Sequence, residues 1–366
     1  MSAPHRVLVH GAGRMAGTIA DTLAADPRYD VRLSAPEPDP GQPRLNLHPA
    51  VQRVDGHLAG APGPLLAGVQ ALIMAGEVWA GSADVARLAR EAGCHYLDIA
   101  ESPESARAVA AIAQGAGGAF VPACGLAPGY VTALASDFLA RGGEGARLTV
   151  HVGVLPARRT NRLGYGNLLG VDGLMVEYSA PCLAIRGGQR VSLPPLSELE
   201  TLRIGGEEFE SFTTAGTLDA LVQDPCLRAR SLVFKTLRYP GHLDYMRFLL
   251  DDLGLSRQRS ALRGLLLNGL PRIDEDWVLI VLDMDGPKGS LRFEQVLPAR
   301  ALPGGGWASA GIAATAAHVC AVTDLLCTGA LPRRGFVAQG EVGLALLSSS
   351  AFFAPLAAVE TVTAEG

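Results

Sequence analysis

The stretch HRVLVHGAGRMA, His5–Ala16, decides the fold. His5–His10 is a short apolar strand, Gly11-Ala12-Gly13 makes a turn, and Met15–Ala25 continues as a helix of small and apolar residues. A strand, a glycine turn and a helix in that order open a dinucleotide-binding unit, and Gly11-x-Gly13-x-x-Ala16 puts a small residue at each demanding place. Gly11 permits the tight turn, Gly13 lets backbone approach a pyrophosphate, and Ala16 lets the helix pack closely on the strand. The helix N-terminus then offers free N–H groups and the positive end of its dipole to the phosphates. Gly11, Gly13, Arg14, Met15 and Ala16 are the expected cofactor contacts. A plain structural turn is the alternative reading of the same residues.

An acid about 20 positions on, at the end of the second strand, would hold the ribose hydroxyls of NAD. Here the sequence has Ser34-Ala35-Pro36, and the first carboxylate is Glu37. Ala35 at the ribose position removes a group that repels a 2′-phosphate, and Arg14 or Arg32 supplies positive charge nearby. Alternatively, Glu37 does the acid's work two residues late. NAD and NADP both stay open.

The 366 residues suit two domains. Hydrophobic residues make up 48%, enough for buried cores, and 18% charged residues are too few for a disordered chain. A formal charge of −5 gives no broad footprint for nucleic acid or an anionic membrane. Of 31 basic residues only Lys235 and Lys288 are lysine. Six cysteines without CxxC pairs fit reduced thiols in a cytoplasmic enzyme better than a disulfide scaffold. The chain enters a strand at once, with no leader-like segment. Ala301–Thr323 and Val342–Val359 lack charged residues over nearly membrane-spanning lengths, but prolines, glycines and serines mark them as broken, buried helices of a soluble protein.

The expected fold class is α/β: a Rossmann domain over residues 1–143, interrupted by an α+β, mostly antiparallel domain over 144–305, which the family resemblance given below implies to be a substrate and dimerisation domain. Residues 306–366 are then a helical return onto the first domain. Strands are expected at Tyr29–Ser34, Ala71–Ala75, His95–Ile99 and Ala119–Cys124, with Pro36–Pro49 a loop. In the second domain Arg147–Leu155, Tyr165–Tyr178, Cys182–Val191, Thr201–Thr214 and Val278–Met284 read as strands. Gly187-Gly188 and Gly205-Gly206 look like hairpin turns, and helices are expected at His242–Leu253 and Ser256–Leu267.

Five motifs carry a resemblance: HYLDIAE (His95–Glu101), CGLAPGY (Cys124–Tyr130), DGLMVEYSAPC (Asp172–Cys182), FESFTTAG (Phe209–Gly216) and KTLRYPGH (Lys235–His242). In this order they resemble the saccharopine dehydrogenase-like family, and within it the bacterial lysine 6-dehydrogenases. The resemblance implies NAD(P)-linked chemistry at the C–N bond of an amino acid, and a homodimer. The family usually has an acid after the second strand and a Trp-Ser pair before the DGL-like stretch. This chain has Ala35 and Leu169-Gly170 instead.

Ligands of open α/β sheets bind beyond the carboxyl ends of the strands. Asp98-Ile99-Ala100-Glu101 and Cys124-Gly125 lie at such ends, so Ala100 and Gly125 are expected at the cofactor and Cys124 beside the substrate. Pro128-Gly129 would open the next helix with free N–H groups. Arg238 suits a substrate carboxylate, because guanidinium binds it through two parallel bonds. Glu177 or Asp98 would receive the ammonium. Glu177 and Tyr178 lie in an expected strand, so only one of them faces the cleft. Tyr239 is placed against the substrate, with packing as the alternative.

Hydride can leave carbon only when the nitrogen lone pair is free. A lysine-like amine has a pKa of about 10.4, so freeing it at pH 7 costs roughly 5 kcal/mol. Lys235 or His242 is the candidate base, with Asp98 as the third candidate catalytic group. His10, His95 and His318 sit in apolar segments as core residues, Arg158-Arg159 reads as a solvated loop, and no spacing suggests a metal. Three functions are compatible with these residues: amino-acid dehydrogenation, reductive condensation of an amine with a carbonyl, and non-catalytic dinucleotide sensing.

Overall fold

A computed structural model of the protein describes residues 3–34, 46–54, 58, 62–76, 81–166, 170–273, 275–357 and 360–365, the last as backbone. The chain forms two units: Met1–Leu134 with Arg300–Ala308 and Ile312–Ala357, and Ala135–Ala299 with Ser309–Gly311 and Ala358–Gly366.

In the first unit His5–His10 (β1) and Tyr29–Ser34 (β2) pair in parallel, from His5↔Tyr29 to His10↔Ser34, with Arg14–Ala24 (α1) between them. Gln52–Val54 (β3), Ala71–Met74 (β4), His95–Asp98 (β5) and Ala119–Val121 (β6) extend the sheet, and Gly335–Phe336 joins β6. Its order is Gly335–Phe336, β6, β5, β4, β1, β2, β3, and every pairing is parallel. β3 and Gly335–Phe336 escape the sequence pattern because two or three residues show no periodicity. The expected loop falls mostly on residues 36–45, outside the described residues.

Pro62–Leu66 (α2), Ser82–Ala92 (α3), Pro103–Ile112 (α4) and Tyr130–Gly142 (α5) follow along the chain. Their ends obey local rules. Ser102 caps α4 by accepting from Ser105 N with Pro103 at the first turn, and left-handed Gly93 closes α3. Leu8, Leu72, Tyr96 and Phe120 fill one face of the sheet. Ala310–Cys327 has the length and hydropathy of a membrane span, but 89% of it is buried inside the protein. A helix apolar on all sides belongs in a core; Cys320 Sγ lies 3.8 Å from Ile19 O of α1.

The second unit is built on Arg147–Pro156 (β7). Val171–Glu177 (α6) precedes the hairpin Cys182–Arg186 (β8) and Gln189–Leu193 (β9), then Glu200–Ile204 (β10) and Glu207–Thr213 (β11). Next come Asp219–Val222 (α7), Ser231–Arg238 (β12), His242–Arg247 (α8), a π-helical turn at Phe248–Asp252 and Arg259–Gly269 (α9). Asp276–Gly286 (β13) and Gly289–Pro298 (β14) complete it. The order is β10, β11, β12, β7, β13, β14, Glu360–Glu365, with the β8–β9 hairpin attached to β12. Among the described residues of this sheet only β12 and β7 run parallel. Both double-glycine turns lie where expected, between Arg186↔Gln189 and Ile204↔Glu207, with left-handed φ at each glycine.

Two expectations need correction. The part of Tyr165–Tyr178 from Val171 on is not a strand: its buried residues Val171, Leu174, Met175 and Tyr178 have the i, i+3, i+4, i+7 spacing of a helix. The C-terminal run does not return wholly to the first unit, since Glu360–Glu365 pairs along β14 from Gln295↔Glu360 to Ser290↔Glu365.

Candidate functional site

The glycine turn of the first unit is crowded. Gly11 donates its N–H to Ser34 O at 2.9 Å. A Cβ on Gly11 would stand 2.7 Å from Ala75 O and 3.0 Å from the Cβ of fully buried Ala16. Gly13 precedes α1 without any side-chain cap, and the first turn of α1 contains no acid. The positive end of α1 therefore has no carboxylate in its own first turn, the condition an anion site needs. Arg14 and Met15 are half-buried there, with Arg14 Nη2 3.5 Å from Trp307 O. β2 ends on buried Ser34, whose Oγ lies 3.3 Å from His10 Nδ1. Arg32 Nε is buried with no hydrogen bond among the described residues. Ala35 lies outside the described residues.

Asp98 ties three neighbouring groups together. It is 1% exposed and accepts from the N–H groups of Ala100 and Ala123, both at 3.0 Å, and from the Tyr96 hydroxyl at 3.0 Å. Burial raises its pKa above the ordinary carboxylate value. Its backbone O also takes Cys124 N–H at 2.6 Å. The N–H of Ala100 is thus already committed. Cys124 is fully buried, and burial pushes its thiol pKa up.

The loop after Cys124 closes on itself: Gly125 N donates to Pro128 O, Tyr130 N to Gly125 O, and Gly129 N to Thr132 Oγ1. The N–H groups of Gly129, Tyr130 and Val131, at the start of the following helix, are thus spent on nearby acceptors.

In the second unit, β12 splits KTLRYPGH. Side chains alternate along a strand, so Lys235 and Arg238 leave on opposite faces. Lys235 Nζ donates to Glu198 O at 2.8 Å and pairs with Glu200 Oε1 at 2.9 Å. Both contacts lie within the second unit.

Arg238 is 4% exposed and held from several sides. Its Nε donates to the Tyr178 hydroxyl at 2.8 Å, and Nη1 donates to Thr236 Oγ1 and Leu237 O at 2.6 and 2.9 Å. The guanidinium stacks over Tyr165, 4.8 Å from its centroid. Nη2 faces Glu177 Oε2 at 3.7 Å. Glu177 ends α6, so it and Tyr178 reach Arg238 together, correcting the either-or that a strand would impose. Burial raises the Glu177 pKa, against the pull of Arg238.

His242 has a neighbour at each ring nitrogen. Nδ1 lies 2.8 Å from Leu163 O and Nε2 2.9 Å from the Tyr178 hydroxyl. Burial, then the nearby Arg238 charge, pulls its pKa down to about 3. Tyr239 is buried: its hydroxyl donates to Pro156 O at 2.9 Å and its ring meets Phe209.

The sequence reading missed or misplaced four contributors. Tyr165 and Tyr178 looked like strand residues. Glu210 accepts from the N–H groups of Gly241 and Leu243 and so secures the start of α8. Its only sequence signal was a carboxylate in FESFTTAG, with nothing to tie it to a turn 31 residues later. Arg159 donates to Pro240 O at 2.9 Å, bracing the same turn from the presumed solvated loop.

No protein-family model matches the sequence. The structure resembles that of saccharopine dehydrogenase (L-Glu forming) from Saccharomyces cerevisiae, in its apo form, with a TM-score of 0.72 at 16% identity. The match covers 98% of this chain and 100% of that one. The fold is saccharopine dehydrogenase-like. Weaker likenesses are a myo-inositol dehydrogenase from Corynebacterium glutamicum ATCC 13032 and GenD2 from gentamicin A biosynthesis in complex with NAD. Their TM-scores are 0.41 and 0.42, at 11% and 12% identity, over 99% of this chain and 100% and 97% of theirs.

Proposed function

We propose that the protein is an NAD(P)-dependent oxidoreductase acting at the C–N bond of an amino acid, with lysine the leading substrate. The observation that carries this is the pairing of Arg238 with Glu177 at 3.7 Å. An α-amino acid head group presents a carboxylate and an ammonium a few ångströms apart, and a guanidinium beside a carboxylate is its complement. Arg238 takes the carboxylate, with Tyr178 and Thr236 fixing the plane of the guanidinium, while Glu177 takes the α-ammonium.

The cofactor reading rests on the crowded Gly11 turn and the acid-free start of α1. Gly11, Gly13, Arg14 and Met15 would hold the pyrophosphate, and Ala16 keeps the helix close. The chemistry such a cofactor supplies is acceptance of hydride from the carbon bearing the nitrogen. Neither Lys235 nor His242 takes the substrate proton in this reading, since both are committed to protein partners.

The test is an assay of nicotinamide absorbance with the purified protein. NAD⁺ or NADP⁺ is reduced with lysine, and Arg238→Ala lowers kcat/KM by about 10–100-fold, the loss of one charged hydrogen-bonded contact, with cofactor affinity kept. Amine plus semialdehyde, assayed in the other direction, detects reductive condensation. Absence of turnover with every amine or imine, despite cofactor binding, overturns the proposal.

A further inference from the structure

Beside the Arg238 cluster the second unit has a cavity open to solvent, of about 490 Å³, within the roughly 300–1,000 Å³ of small-molecule sites. Leu174, Met246, Leu250, Leu262 and Leu266 give it apolar walls. Its charged lining residues are Arg247, Arg259 and Asp251, two cations against one anion. Arg247 gives one bond to Leu196 O at 2.7 Å, and among the described residues neither Arg247 nor Arg259 makes an ion pair.

We infer that this cavity binds an apolar small molecule ending in a carboxylate, at a site separate from the Arg238–Glu177 pair. Apolar walls take the body, and an arginine supplies the two parallel N–H donors that a carboxylate matches.

The backbone around the cavity departs from regular geometry at two places. The helix beginning at His242 passes into a π-turn at Phe248–Asp252, which carries Leu250 and Asp251 into the lining; π-turns concentrate at functional sites. Leu196 holds a left-handed φ of 55° that non-glycine residues rarely adopt. It is fixed there by its N–H to Thr213 O at 2.8 Å and by Arg247 on its carbonyl. Sparse conformations of this kind persist where surrounding contacts enforce them, often at ligand clamps.

The Tyr178 ring is part of the wall, while its hydroxyl receives Arg238.

Calorimetric titration of the full chain with octanoate, octylamine and octanol tests the inference without any turnover. Octanoate binds saturably at one site, octylamine does not bind, and octanol binds at least about ten-fold more weakly, the equivalent of one charged hydrogen bond. Leu262→Trp fills the cavity, and Arg259→Glu reverses an exposed charge with no partner to lose. Each lowers octanoate affinity about ten-fold or more, and Arg259→Glu decides alone where Leu262→Trp does not fold. No saturable octanoate binding, equal binding of octylamine, or unchanged affinity in Arg259→Glu overturns the inference.

Discussion

Tyr178 gives its hydroxyl proton to Nε2 of His242 across 2.9 Å. The direction follows from the other nitrogen: Leu163 O can only accept, so Nδ1 carries the hydrogen and Nε2 is left as acceptor. The Tyr178 oxygen in turn accepts from Arg238 Nε. Arginine, tyrosine, neutral histidine and carbonyl thus form a one-way chain that sets the guanidinium plane. Tyr178→Phe leaves Arg238 Nε and His242 Nε2 buried without partners, at about 1–3 kcal/mol each. Denaturant unfolding reads the stability loss, and steady-state kinetics read a raised KM for the amino acid. Unchanged KM would show that the chain does not orient Arg238.

Glu177→Gln tests head-group recognition. With wild-type protein, lysine is preferred over 6-aminohexanoate, which lacks the α-ammonium. Glutamine erases that preference, because it keeps the shape but not the charge. Burial raises the Glu177 pKa, so the wild-type acid limb of kcat/KM lies above the ordinary carboxylate range. Binding fails as pH falls through it. The limb disappears in the variant; a limb that persists belongs to another group.

Lys235→Met separates this arrangement from lysine as base. The ammonium serves Glu198 and Glu200 at the opposite face from Arg238. The expected outcome is an unchanged pH profile of kcat with a modest loss of stability in thermal unfolding. Loss of the basic form's activity would restore Lys235 to catalysis.

The first unit was legible because its determinants are local. Gly11, Gly13 and Ala16 answer to neighbours within a strand, a turn and a helix, and β1, β2, β4 and β5 are apolar runs bounded by turn residues. The second unit hid its site because the partners of Arg238 come from distant segments. KTLRYPGH suggested one cluster of Lys235, Arg238 and His242, but strand alternation sends Lys235 away and the turn at Gly241 brings His242 back. Tyr178 and Glu177 were misassigned by reading a two-residue period where Val171, Leu174 and Met175 follow the helical one. The motif identified the right segment; pairing across it depended on register, which no spacing in the sequence reveals.

His242 predicts a pH-dependent stability. Its pKa is about 3 in the folded protein and about 6.5 unfolded, so between those values only the unfolded chain takes the proton. Its contribution is constant above pH 6.5 and stability is lost as pH falls below it. From pH 6.5 to 5 the loss is about 2 kcal/mol. His242→Gln cannot take that proton, so the stability gap between wild type and variant narrows by about that amount between pH 7 and 5. Urea unfolding at the two pH values measures it, and a constant gap would mean that His242 is charged in the fold.

Gly11→Ala tests the turn on which the cofactor reading rests. The added methyl would meet Ala75 O at 2.7 Å, and that oxygen belongs to backbone rather than to a movable side chain. Overpacking of this kind costs about 1–3 kcal/mol. The shift that relieves it displaces the turn that begins α1, so affinity for the dinucleotide falls along with the melting temperature. Gly117→Ala is the matched control, since Gly117 is exposed, lies outside any helix or strand, and a Cβ there meets nothing within 4 Å. Its stability stays within about 0.5 kcal/mol of wild type. Thermal unfolding and nicotinamide fluorescence titration read both variants. If Gly11→Ala binds NAD(P)H as the wild type does and melts with it, the small residue at this position serves no crowded turn, and the nucleotide site lies elsewhere.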